Sequence, residues 1–351
     1  MQELLLPLLR CPVTRTALTV RVIKNGHKIL NGEMVGVIDE AILYAEEGWF
    51  YPVINGIPRL NVEAFIDYED FLKANDTTYQ NRKENLVNKY KALIKYAVKK
   101  NKRTKESFTK EWSVYRFDKD NTWDADSAGM VTRFLKETGE TTETLKNKII
   151  FDAGCGNGKL DSLIAADCSM VIGMDFANCI EDAYTRNGFK NVHFIQGDVQ
   201  YPPLLFNYFD IVHCSGVLIH TNNAELSFSC IEPTVKEKGK LSIWLYHPRH
   251  NFIHNAFNLL RKLTSKLPLS FQYYLYLVTI FPVSYCIKRL KGNKQNSREM
   301  MLAILDWLTP EYRSEHEQSE AASWFNKRGY TQIHVTTVDT FGFNTTGENN
   351  R

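Results

Sequence analysis

One run of nine residues constrains this chain more than any other: Phe151-Asp152-Ala153-Gly154-Cys155-Gly156-Asn157-Gly158-Lys159. It follows an apolar, β-prone stretch and opens a helix. Glycines at a strand-to-helix turn permit a tight bend and let a ligand lie against bare backbone at the helix start. Spacing selects the ligand. A dinucleotide fingerprint counted from Gly154 wants its third glycine at 159, which is Lys. The actual spacing is acidic-x-Gly-x-Gly-x-Gly, from Asp152 to Gly158.

Short apolar runs at 149–153, 170–175, 192–196, 209–214 and 241–246 surround this loop, with helix-length stretches between most of them. That alternation predicts an α/β fold, a parallel sheet with helices on both faces. A chain of 351 residues exceeds one ordinary domain. Apolar residues make up 44% and charged residues 24%, which excludes collagen, coiled coil and wholesale disorder. A net charge of +3 makes no case for nucleic acid. Seven cysteines without regular spacing are not a disulfide framework. The start, Met1-Gln2-Glu3 and a short apolar run broken at Pro7, lacks the features of a signal peptide. A reducing cytoplasm is the expected location.

The glycine pattern resembles that of class I S-adenosylmethionine-dependent methyltransferases. Three later positions fit the same family. Asp175 ends the second strand, 23 positions after Asp152, where the resemblance implies a carboxylate accepting the ribose hydroxyls. Asp198, in Gln196-Gly197-Asp198-Val199, follows the third strand. There the family places an acceptor for the adenine amino group, with the next residue packed on the ring. Ser215 ends the fourth strand, beside the methionine portion. The implied cofactor set is Asp152, Gly154, Cys155, Gly156, Gly158, Asp175, Phe176, Asp198, Val199 and Ser215. The implied fold is a Rossmann-like seven-stranded sheet.

Gly216-Val217-Leu218-Ile219-His220-Thr221 is similar to the Gly-Val-Leu-His-His-Thr of small-molecule methyltransferases, keeping only the second His. His220 is the candidate base, since a hydroxyl acceptor must lose its proton and imidazole titrates near neutrality. His247 is a secondary candidate base or substrate contact. His250 and His254 share a helical face, but no neighbouring acid or thiol in sequence completes a metal site, so no metal is expected. Residues 248–308 read as a helical substrate lid inserted after the fifth strand. The lid is aromatic through Phe271, Tyr273, Tyr274, Tyr276, Phe281 and Tyr285. Its apolar run 273–287 contains Pro282 and is too short to span a bilayer. A lid packed on the sheet is expected, with weak membrane association for a lipidic substrate as the alternative. Segments 306–310 and 320–330 resemble that family's C-terminal lid and last helix, and Ser107–Trp112 the approach to its cleft.

Residues 1–62 form a separate small α+β unit. Short β-prone runs at 18–23, 34–38 and 41–44 are punctuated by turn signals at Asn25-Gly26 and Asn31-Gly32. A leading Cys11-Pro12-Val13 and a closing Tyr51-Pro52-Val53-Ile54-Asn55-Gly56-Ile57-Pro58 resemble the zinc-ribbon-like domain that activates several methyltransferases. A closed zinc site needs four ligands, and Cys11 is the only cysteine here, so this unit is expected without metal. Residues 63–125 read as one or two linking helices plus a cleft-entry segment. Within them, 91–110 carries eight Lys or Arg against Glu106, which reads as a solvated helix face.

Together these readings predict a methyltransferase domain over 126–351. It moves a methyl group by in-line displacement from S-adenosylmethionine to a small molecule, a hydroxyl of a sugar or secondary metabolite. A methyltransferase of tRNA or a translation factor is the first alternative, resting on the activator-like unit and the basic run. A non-catalytic cofactor- or partner-binding protein is the second. Ser215 stands where amino-group methyltransferases of nucleobases carry Asn/Asp-Pro-Pro-aromatic, and no Pro-Cys nucleophile follows, so nucleic acid is disfavoured. The oligomeric state is not legible.

Overall fold

The computed structural model describes residues 1–115, 120–121, 125–249 and 252–351. A 3-10 turn at Glu3–Leu8 leads into a four-stranded sheet of β1 (Thr19–Leu30), β2 (Glu33–Tyr44), β3 (Phe50–Ile54) and β4 (Ile57–Pro58), all antiparallel. Asn25-Gly26, expected from its dipeptide to be a turn, is not one. It lies inside β1 beside a register shift, and Asn31-Gly32, with φ of 51° and 77°, closes the hairpin. A turn at 25–26 would re-register β2, whose Ile38, Ile42 and Leu43 are buried, so the core decides between two equivalent turn signals. Cys11 is buried with Sγ 3.3 Å from Tyr51 Oη. Among the described residues no group of three or more His, Cys, Asp or Glu is placed to hold a metal.

The expected one or two linking helices are four: α1 (Ala64–Asp67), α2 (Glu69–Asn75), α3 (Tyr79–Lys89) and α4 (Lys91–Val114). The 24-residue α4 buries a face at helical spacing that begins with Ile94 and Ala97 and continues through Asn101, Thr104 and Glu111.

The main sheet has the order β10-β11-β9-β8-β5-β6-β7. Its strands are β5 (Ile149–Ala153), β6 (Met170–Asp175), β7 (Val192–Gln196), β8 (Phe209–Ser215), β9 (Val235–Tyr246), β10 (Tyr330–Val338) and β11 (Gly342–Asn349). β5 to β9 are parallel, but β11 runs antiparallel between β9 and β10, so the sheet is mixed rather than all parallel. Around it lie α5 (Ser127–Thr138), α6 (Thr142–Leu145), α7 (Lys159–Ile164), α8 (Ile180–Arg186), α9 (Ala224–Ile231) and α13 (Gln318–Asn326). The segment after β9 forms α10 (Phe252–Thr264), α11 (Leu269–Leu290) and α12 (Ser297–Leu308). The N-terminal sheet closes the β7 edge, where Leu60 N–H donates to Gln196 O at 2.8 Å. One apolar core runs without a break from Leu5 and Trp49 to Phe151 and Trp324.

Candidate active site

A cavity of about 380 Å³ opens at the carboxyl ends of the parallel strands, within the size range of small-molecule sites. The β5–α7 turn forms its floor. Gly154 has φ +99°, and a Cβ there would meet Val217 Cγ2 at 2.1 Å. Gly156 has φ +57°, and a Cβ there would strike the Trp112 indole at 2.6 Å. Only glycine fits either place, and bare backbone with a helix start is left facing the cavity. Gly158 begins α7 and does not line the cavity.

Each strand end contributes a polar group. Asp175, the last residue of β6, accepts Gly156 N–H on Oδ2 (3.1 Å) and Ala177 N–H on Oδ1 (2.8 Å). Burial raises its pKa, and these amide donors oppose that rise. Asp152 on β5 is engaged by its own sheet neighbour. His213 sits 3.0 Å from Asp152 Oδ1 through Nδ1 and 2.8 Å from Glu137 Oε2 through Nε2. Burial works against charge on His213, but the two carboxylates outweigh it and its pKa rises to about 10. Asp198, after β7, takes Gln200 N–H on Oδ1, while Lys100 (2.6 Å) and Asn101 (3.1 Å) donate to Oδ2. The acceptor that the sequence assigns to an adenine amino group is thus already shared with two α4 donors. Cys155, Phe176, Val199 and Ser215 also line the cavity.

A second group lines the same cavity. The short turn after β8 buries His220, which is 4% exposed. Its Nδ1 pairs with Tyr312 O at 3.2 Å, which assigns the ring proton to Nδ1. Nε2 has no hydrogen-bond partner and lies 3.6 Å from Asp306 Oδ1 on α12. Tyr246 donates to Asp306 Oδ2 at 2.9 Å. Burial lowers the His220 pKa more than Asp306 raises it, so the imidazole is neutral at neutral pH. Glu111 is buried with Oε2 unpaired. Desolvation first, then Asp306 and Asp175, hold its pKa well above the usual carboxylate range. Phe108, Trp112, Trp244 and Trp307 supply apolar wall.

Of the sequence-based candidates, His247 does not reach this cavity. Its Nε2 meets Thr340 O at 3.0 Å on the exposed side. His250 lies outside the described residues, and His254 pairs with Glu315 at 2.6 Å, a partner distant in sequence. Lys100, Asn101, Thr104 and Glu111 line the cavity; the first three read as part of a solvated basic helix, whereas Glu111 falls in the cleft-approach segment 107–112. The period 94, 97, 101, 104, 108, 111 would have exposed all of them but Lys100, had polar residues been allowed on a buried face. Three of the eight cations of the basic run are committed within the chain, while Lys91, Lys95, Lys99 and Lys102 are exposed. Besides Lys100, Lys105 pairs with Glu63 at 3.1 Å, and Arg103 donates to the carbonyls of Ser265 and Leu267.

Residues 151–243 match a family described as a methyltransferase domain. The ubiquinone biosynthesis O-methyltransferase of Coxiella burnetii is 27% identical over 101 residues, 28% of this chain and 43% of that one. The chain therefore spans less than half the length of that curated relative. Among solved structures, magnesium protoporphyrin IX methyltransferase from Synechocystis with bound SAH is 14% identical. It covers 72% of this chain and 98% of its own, with a TM-score of 0.41. A SAM-dependent methyltransferase from Aquifex aeolicus is 15% identical over 67% of this chain and 98% of its own, with a TM-score of 0.39. Residues 151–243 are thus similar to a methyltransferase domain, and S-adenosylmethionine is the cofactor expected there from the sequence. The bare-backbone cradle at Gly154 and Gly156 and the strand-end carboxylate Asp175 suit such a group.

Proposed function

We propose that this chain transfers a methyl group to a hydroxyl of a small molecule, with His220 as the base. Bound S-adenosylmethionine supplies a methyl group already activated by its sulfonium. The protein's remaining tasks are to align the acceptor and to remove its proton.

One observation carries the reading. His220 Nε2 is a buried lone pair in the cavity wall without a partner, and its ring is fixed from behind by the Tyr312 carbonyl. A hydroxyl placed at Nε2 loses its proton to a neutral imidazole. The imidazolium so formed faces the Asp306 carboxyl, itself positioned by the Tyr246 hydroxyl. Desolvation and the neighbouring Asp306 and Asp175 favour the protonated form of Glu111, which in that form can donate a hydrogen bond to an acceptor oxygen. The aromatic wall excludes water and suits a ring-bearing substrate such as a secondary metabolite. His247 has no role in this reading. Inward commitment of Lys100, Arg103 and Lys105 leaves a tRNA substrate with less basic surface than its sequence implies.

The test is label transfer from methyl-labelled S-adenosylmethionine to a metabolite extract, run beside total RNA. Label in the small-molecule fraction, lost in His220→Ala, is the expected result. Label confined to RNA would replace this reading with the nucleic-acid one.

A further inference from the structure

Eighteen large apolar side chains are exposed among the described residues, and nine of them fall between Phe252 and Leu290 on α10 and α11. Elsewhere they are scattered, as on any soluble surface. Here they follow the helix. On α10, Phe252 (86% exposed), Leu259 and Leu263 recur at intervals of seven and four residues. The opposite face, through Phe257 and Leu260, packs on Met301, Ile304 and Leu305 of α12. On α11, Phe271, Tyr274 and Val278 point outward at intervals of three and four, and beyond Pro282 the exposed Val283, Ile287 and Leu290 lie on another side of the helix. Tyr273, Tyr276 and Ile280 face the same α12 core. Both helices are thus apolar on both faces, and only one face of each is covered.

Charge indicates what covers the other. Residues 249–298 contain nine Lys or Arg and no Asp or Glu, although the whole chain carries only +3. Lys262, Lys266, Arg289, Lys291 and Lys294 are exposed and flank the two stripes. A protein partner of mixed charge would not require an acid-free segment of fifty residues. A second copy of the same surface would set these cations against each other. No described helix is long and apolar enough to cross a membrane. Apolar stripes with a cationic rim on helices that do not span are the pattern of an interfacial surface.

We propose that the outer faces of α10 and α11 dock on an anionic lipid bilayer, the apolar stripes entering the headgroup boundary and the rim cations meeting lipid phosphates. The docked face adjoins the active site: Lys288, near the end of α11, and Trp307, on α12, both line the cavity. Docking is independent of the transfer reaction, so either can fail alone.

The test is co-sedimentation of the full chain with vesicles of neutral phosphatidylcholine, or of phosphatidylcholine with roughly one phosphatidylglycerol in three. Binding to the anionic vesicles, little to the neutral ones, and release at ~0.5 M salt are expected. The paired variant Leu263→Glu/Val278→Glu, and separately Lys262→Glu/Lys266→Glu, should each lower partitioning at least about tenfold. Leu226→Glu, an exposed apolar position on α9, should leave it unchanged. Melting temperature and calorimetric S-adenosylmethionine binding check that the variants fold. Wild-type protein left in the supernatant at low salt overturns the proposal, as does equal binding by folded patch variants. A concentration-dependent dimer that Leu263→Glu dissolves, without vesicle binding, would assign the face to a second copy and equally overturn it.

Discussion

The Lys100 ammonium lies 2.6 Å from Asp198 Oδ2, and both side chains are more than nine-tenths buried. This pair ties α4 across the mouth of β7. It converts a helix that reads as a linker into one wall of the active site. Breaking such a pair leaves a charge stranded in a dry place, which costs roughly 3–5 kcal/mol. Lys100→Ala should therefore lower unfolding free energy in urea by about that much, and Asp198→Asn combined with Lys100→Met should recover a large part. A loss below about 1 kcal/mol in the single variant would mean that water reaches the pair and screens it.

Asp175 allows a sharper separation of binding from stability. Its side chain is half-buried, held by two amide donors, and faces the cavity beside Phe176. Hydrogen bonds to charged groups are worth ~1.5–3 kcal/mol. Replacing the carboxylate in Asp175→Ala should weaken S-adenosylmethionine binding roughly 10- to 150-fold in calorimetry. Unchanged affinity would remove Asp175 from the cofactor site.

What could be read in advance follows from how each element is buried. β5, β6 and β7 lie at the positions expected from sequence, because strands covered on both faces are continuously apolar. β11 has no such run. Its Asn344, Thr345 and Thr346 are buried polar residues, and Asn344 and Thr346 are satisfied by Glu137 O and Leu241 O, partners that no local pattern reveals. The same holds in the site. Gly154, Gly156 and Asp175 are marked by backbone demands and strand-end spacing. Lys100, Glu111 and His213 acquire their roles from partners at 98, 195 and 61 positions' distance (Asp198, Asp306 and Asp152).

His213 makes stability depend on pH in a direction opposite to that of a salt-bridged carboxylate. Its folded pKa is raised to about 10 from 6.5, so the protonated ring between Asp152 and Glu137 stabilises the fold fully below pH 6.5. That contribution is lost as pH climbs through the folded value, at up to about 1.4 kcal/mol per pH unit. The N-terminal amine of Met1 works oppositely, but its pKa is lowered to about 5 from 8.0, so its effect is complete by pH 8. Urea midpoints measured from pH 8 to pH 10 should therefore decline, and His213→Gln should flatten that decline. A slope identical in both proteins would show that His213 is neutral.

The His220–Asp306 arrangement predicts the shape of the rate profile. A base works only when unprotonated, and burial lowers the His220 pKa below 6.5. Turnover should therefore fall on acidification with a midpoint under pH 6.5, leaving activity flat through neutrality. Asp306 raises that pKa from 3.6 Å away, so Asp306→Asn should move the midpoint to still lower pH. It should also reduce kcat, because the imidazolium loses its carboxyl partner. His220→Gln should lower kcat by roughly 10²–10⁴ with S-adenosylmethionine affinity retained, the range of a lost general base. A midpoint that stays in place or moves upward in Asp306→Asn would show that Asp306 does not act on the titrating imidazole.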